Sequence, residues 1–159
     1  MMDFEIQLLI IFIVIFVIVM IRYLIVSSAE EREKREWELE LIRRLANNTA
    51  EITPDQFFNI RNRHPKSDFT GVYILHNRTK EKYYVGQGKS VYKRVNAHFT
   101  GHGNGDVYAD YKYGDHFTIK MVSLASSGIN TLDELERKMI DAYNAYSNGY
   151  NKTRGNSGY

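Results

Sequence analysis

Among the polar side chains beyond residue 70 of this 159-residue chain are Tyr73, Tyr84, Arg94, His98, Glu136 and Asn151, types able to move protons, bind phosphate oxygens or hold a metal ion. A phenol, with a pKa near 10, is a poor base unless nearby cations lower it, and Arg94, His98 and a metal ion are cations of that kind. Arg94 and His98 lie four residues apart, so on a helix they share one face. Glu136 offers a hard oxygen ligand suited to Mg²⁺, which keeps most of its waters. Activating a water, stabilising a phosphorane-like transition state and relieving a leaving alkoxide is work such a set would do. Each residue alone has an ordinary explanation. The chain has 12 tyrosines, so any single one is more often a packing residue than a base, and a lone helix glutamate or arginine is usually solvated. Cysteine is absent, which excludes disulfides and thiolate metal sites.

The elements that must position these residues are short. GVYIL (71–75) and YYVG (83–86) alternate as strands about a polar HNRTKEK turn, which predicts a hairpin. Side chains alternate faces along a strand, so Tyr73 pairs with Leu75 and Tyr84 with Gly86, and the hairpin can bring both phenols together. Ser90–Phe99 reads as a helix. The stretch GHGNGDVYADYKYGD (101–115) reads as a loop, and its GHGNG part as a flexible segment more than a phosphate cradle. FTIKMVSL (117–124) is a third strand. LDELERKMIDAYNAY (132–146) is an amphipathic helix with Leu132, Leu135, Met139, Ile140 and Tyr143 on its buried side. The order ββαβα predicts an α/β fold, a small three-stranded antiparallel sheet flanked by helices.

Gly71-Val72-Tyr73, then Tyr84-Val85-Gly86, Arg94, His98, Glu136 and Gly149-Tyr150-Asn151 resemble the GIY-YIG nuclease family in type, order and spacing, from Gly71 to about Asn156. Val72 and Val85 stand where that family usually has isoleucine, and Gly88 where it usually has Ser or Thr. The resemblance implies an Mg²⁺- or Mn²⁺-dependent endonuclease. It implies Tyr73 as general base, Tyr84 at the metal-bound water or phosphate, Arg94 on the phosphate and His98 assisting proton movement. Glu136 is the implied metal ligand, and Asn151 is implied to orient phosphate or tyrosine. His64, His76, His102 and His116 have no counterpart in the motif and are read as structural or exposed. The alternative is a non-cleaving nucleic-acid-binding or scaffold module on a nuclease fold; retention of every polar position favours the enzyme.

The N-terminus differs in kind. Ile6–Val26 is almost wholly apolar, and as a helix rising ~1.5 Å per residue it reaches about 31 Å, one bilayer span. Asp3 and Glu5 precede it and no Lys or Arg does, which argues against a cleaved signal peptide despite Ser27-Ser28-Ala29. Arg22, Arg32, Lys34, Arg35, Arg43 and Arg44 follow it, so the C-terminal part is expected in the cytoplasm. Glu30–Ala46 reads as a charged helical stalk with acid-first i,i+4 pairs. Its stripe of Trp37, Leu41 and Leu45 permits weak self-association. Thr53-Pro54-Asp55 predicts an N-cap, with Phe57, Phe58 and Ile60 packing on the domain, before a linker RNRHPKSD (61–68). The expected domains are a transmembrane anchor (1–28), a stalk (29–48), a short helix and linker (49–70) and a nuclease-like domain (71–159).

The net charge is +2, but from Lys66 onward Lys and Arg number 13 against 9 Asp and Glu, whereas before it they number 8 against 10. That local basic excess fits a polyanion partner. DNA is the expected partner, without strong sequence specificity because no separate recognition domain is visible. Placement at a membrane fits action on DNA entering the cell.

Overall fold

The computed structural model describes residues 3–63 and 68–155, in two compact units that divide between Glu38 and Leu39. His64 and the part of the expected linker at 64–67 lie outside the described residues, as do residues 156–159 of the expected domain.

Helix α1 runs without interruption from Phe4 to Asn47. The Ser27-Ser28-Ala29 stretch does not break it, because the Ser28 hydroxyl donates to the Ile25 carbonyl (2.8 Å) and so satisfies itself on the preceding turn. Every side chain from Phe4 to Val26 is exposed, and this segment is long and apolar enough to cross a membrane.

The second unit begins inside α1. Ile42 and Ala46 are buried, with Leu39 and Leu45 packed against the same cluster, so the last turns expected as stalk belong to a core. That buried stripe is rotated from the expected one: Trp37 and Leu41 are exposed. Helix α2 (Pro54–Arg63) opens with a reciprocal capping box. The Gln56 amide N–H donates to Thr53 Oγ1 (3.3 Å) and the Thr53 N–H to Gln56 Oε1 (2.9 Å).

Strands β1 (Gly71–Asn77), β2 (Lys82–Gly88) and β3 (Phe117–Ser123) form an antiparallel sheet in the order β2-β1-β3. The β1–β2 turn is set by Asn77, whose Oδ1 accepts the N–H groups of Thr79 and Lys80. A short pairing of Ile52 with Ile119 continues the sheet beyond β3. Because β1 is central, its side chains feed two cores. Val72 and Ile74 join Val85, Val122, Leu135, Met139 and Ile140 on one face, while Tyr73 and Leu75 join Phe57, Val91, Val95 and Ile119 on the other.

Helix α3 spans Val91–Phe99 and helix α5 Leu132–Ala142. Helix α5 stops short of the expected Tyr146, since Asn144 takes a left-handed backbone (φ 51°) that ends it. The expected loop at 101–115 is a correction: it contains helix α4, Gly105–Lys112. Its glycines obscure an N-cap, Asn104, whose Oδ1 accepts from the N–H groups of Asp106 (3.0 Å) and Val107 (3.1 Å). Helices therefore cover both faces of the sheet, and the C-terminal order is ββααβα.

Candidate active site

Pairing in the hairpin sets Tyr73 opposite Gly86 and Leu75 opposite Tyr84. All four lie on one face, and the two phenol rings sit 6.2 Å apart. Gly86 is required here: a Cβ at that position would lie 2.4 Å from the Tyr73 hydroxyl. On α3, His98 reaches both tyrosines, with ring centroids 5.5 Å from Tyr73 and 4.6 Å from Tyr84.

The His98 hydrogen bonds fix its tautomer. The Asn104 backbone N–H donates to His98 Nδ1 (2.9 Å), so in the neutral ring Nε2 carries the proton. Nε2 stands 3.0 Å from Tyr73 Oη and therefore donates to it. The neutral ring is the favoured form, because burial and then the charge of Arg94 hold the His98 pKa down to about 4. Gly103 lets the Asn104 amide approach, since a Cβ there would lie 2.6 Å from His98 Nδ1.

Tyr73 departs from expectation. It is fully buried, and burial first, then the neighbouring Tyr84, raise its pKa above the usual phenol value, while Arg94 opposes them without prevailing. The lowering by Arg94 is thus outweighed by desolvation. Burial raises Tyr84 as well, again against Arg94.

Tyr84, Gly86, Arg94, Glu136 and Asn151 line one cleft of about 410 Å³, with Tyr73 and His98 beneath it. Gly88, where a side chain would press within 2.7 Å of Arg94 Cγ, leaves that residue its room. Glu136 is 9% exposed and accepts from Gln87 Nε2 (3.0 Å), which also donates to Asp133 Oδ1 (2.6 Å). Asn151 has both ends of its amide engaged by a single residue on the edge of β2: Val85 N–H donates to its Oδ1 (2.8 Å), and its Nδ2 donates to the Val85 carbonyl (2.7 Å). The Tyr150 N–H donates to the Tyr83 carbonyl beside it (2.8 Å), so the 149–151 segment covers the outer edge of β2. Gly149 permits this, because a Cβ would lie 2.2 Å from the Tyr83 carbonyl oxygen.

All six sequence-derived residues thus meet at or under one cleft. Sequence reasoning missed Gln87, Asp133, Asn104 and Lys152, of which Gln87, Asn104 and Lys152 line it. Only Asn104 carried a local signal, as a cap residue ahead of a helical stretch. His76, His102 and His116 take no part: His76 stacks on Tyr83 and meets Glu81, the ring of His102 bonds Thr100, and the backbone of His116 bonds Thr79.

No curated protein is significantly similar to the chain. Among solved structures, the catalytic domain of intron endonuclease I-TevI, in a glutamate-to-alanine mutant, is 24% identical with a TM-score of 0.42, covering 56% of this chain and 98% of that one. The GIY-YIG catalytic domain model matches residues 69–151, the segment that holds both strands of the hairpin and every residue of the cleft motif. The chain belongs to the GIY-YIG catalytic domain family.

Proposed function

We propose that this protein is a membrane-tethered endonuclease that hydrolyses DNA phosphodiester bonds with the aid of Mg²⁺ or Mn²⁺. The observation that carries this reading is the convergence of Tyr84, Arg94 and Glu136 on one cleft, with Tyr73 and His98 hydrogen-bonded beneath it.

In this reading a water oxygen attacks phosphorus as a P–O ester bond breaks, and the water proton passes to Tyr73 Oη in its phenolate form. The His98 Nε2–H and the charge of Arg94 both favour that phenolate. Tyr84 contacts the water or the phosphate, and Arg94 holds the phosphate oxygens where negative charge develops. Asn151 is a positioning residue: it fixes Val85, between Tyr84 and Gly86.

The donor set suits a hydrated divalent cation. Glu136 presents carboxylate oxygen at the cleft, and no cluster of three His, Cys, Asp or Glu occurs among the described residues, so the ion would keep most of its waters. Glu136 would hold such a cation, which would supply Lewis-acid stabilisation to the phosphoryl oxygens and the leaving group.

The exposed apolar surface of α1 supports insertion of residues 6–26 in a membrane, and the basic residues after it support a cytoplasmic nuclease domain. That placement suits DNA crossing the envelope. Incubating the full chain in detergent micelles with supercoiled plasmid tests the activity. Nicked or linear product is expected with Mg²⁺ or Mn²⁺ and none with chelator. DNA retention without cleavage under any metal would leave the non-cleaving module.

A further inference from the structure

The face of the sheet opposite the cleft carries a second cavity, of about 480 Å³. Ile74 and His76 of β1, which alternate with Tyr73 and Leu75, line it together with Tyr83, Lys120 and the end of α5. Its size falls within the ~300–1,000 Å³ of ordinary small-molecule sites.

Three features define its chemistry. The first is charge: Arg43, Arg78 and Lys120 line it against a single carboxylate, Glu51. Glu51 lies 3.6 Å from Arg78 and 3.7 Å from Lys120, so it cannot neutralise all three cations. Arg43 Nε donates to the Ala142 carbonyl (2.9 Å) and Lys120 Nζ to Asn47 Oδ1 (2.6 Å), which anchors these side chains at the cavity. The second is an aromatic wall, with His76 and Tyr83 stacked at 4.1 Å and Tyr143 tilted against Tyr83 at 5.0 Å. Such a wall suits stacking of a planar base. The third is a polar group without a partner. The Tyr143 hydroxyl oxygen is buried and meets no hydrogen-bond partner among the described residues, a costly state that a polar group bound in the cavity would relieve on a rotation of the ring that exposes the oxygen to it. The amides of Asn47 and Asn144 add donors and acceptors for a base edge.

We propose that this cavity is a nucleotide site, taking a phosphate on its cations and a base on its aromatic wall. The nucleotide is either free or one unit of a single strand. Its lining residues are separate from those of the cleft, so it stands whether or not the cleft cleaves DNA.

The test is calorimetric titration of the full chain in detergent micelles, with metal chelated, using AMP and a 5′-phosphorylated octathymidylate as probes. Arg43→Gln is expected to weaken binding at least tenfold and Tyr143→Phe at least threefold, while the cleft variant Arg94→Gln leaves AMP affinity unchanged. Tyr143→Phe removes only an unpartnered oxygen, so its melting temperature should not fall, and it decides the matter alone if Arg43→Gln does not fold. Weakening of AMP alone assigns a free nucleotide, and weakening of the octamer assigns a strand. If neither probe's affinity responds to Tyr143→Phe or Arg43→Gln, or AMP binding is lost with Arg94→Gln, the proposal is overturned.

Discussion

Tyr73 brings the sharpest tension at the scale of single residues. A base must give up its proton before it can take another, yet burial holds this phenol protonated at neutral pH. Its competence as a base then depends on a small phenolate fraction. Below its raised pKa that fraction grows about tenfold per pH unit, so cleavage rate should climb steeply between pH 6 and 9. A pH profile of the single-turnover rate checks this, and a flat profile would remove Tyr73 as the base. Glycine does as much as the polar residues in this arrangement. Gly86 lets the Tyr73 hydroxyl lie against the strand bordering the cleft, and Gly103 lets an amide N–H reach the His98 ring. Neither glycine could have been assigned that part from sequence, because each is defined by what a side chain would strike.

At the scale of elements, the hairpin and α3 were legible because their signals are local. Period-two alternation on either side of an Asn-led turn put Tyr73 and Tyr84 on one face, and a four-residue step did the same for Arg94 and His98. Helix α4 was hidden by glycines around its cap, and the Gln87 contacts to Asp133 and Glu136 join elements 46 and 49 residues apart, beyond any local pattern. Burial of His98, with the charge of Arg94 beside it, also sets a pH dependence. His98 is held near 4 when folded and near 6.5 when unfolded, so between those values the unfolded chain binds the extra proton. Stability therefore falls as pH drops from 6.5 towards 4, by up to roughly 3 kcal/mol, with no further loss from this group below that. Urea unfolding of the wild type and of His98→Gln across this range should show the gap between them changing by that order. A constant gap would contradict the burial argument.

At the scale of the whole molecule, one helix carries an exposed apolar segment long enough to cross a membrane and, past Glu38, the first residues of the unit that folds around a sheet. Composition made the two regimes plain, but not where the second begins. Ile42 and Ala46 lie in the charged stretch and are buried, a distinction that depends on the partners they meet. Removing the chain through Glu38 should leave a folded, soluble protein. Removing it through Asn48 should destabilise the rest by several kcal/mol, because Ile42 alone is a large buried side chain. Equal melting temperatures for the two truncates would contradict this packing. The central claim, a cleft that cleaves phosphodiesters through a cation held by Glu136, has a direct measurement in plasmid cleavage by Glu136→Gln and Glu134→Gln in Mg²⁺. Glu134 sits about 200° around α5 from Glu136 and pairs with Lys138 at 3.8 Å instead of lining the cleft. Glu136→Gln should lower turnover on the order of a hundred-fold or more while DNA binding persists, and Glu134→Gln should be nearly silent. Equal activity in the two folded variants would contradict the account.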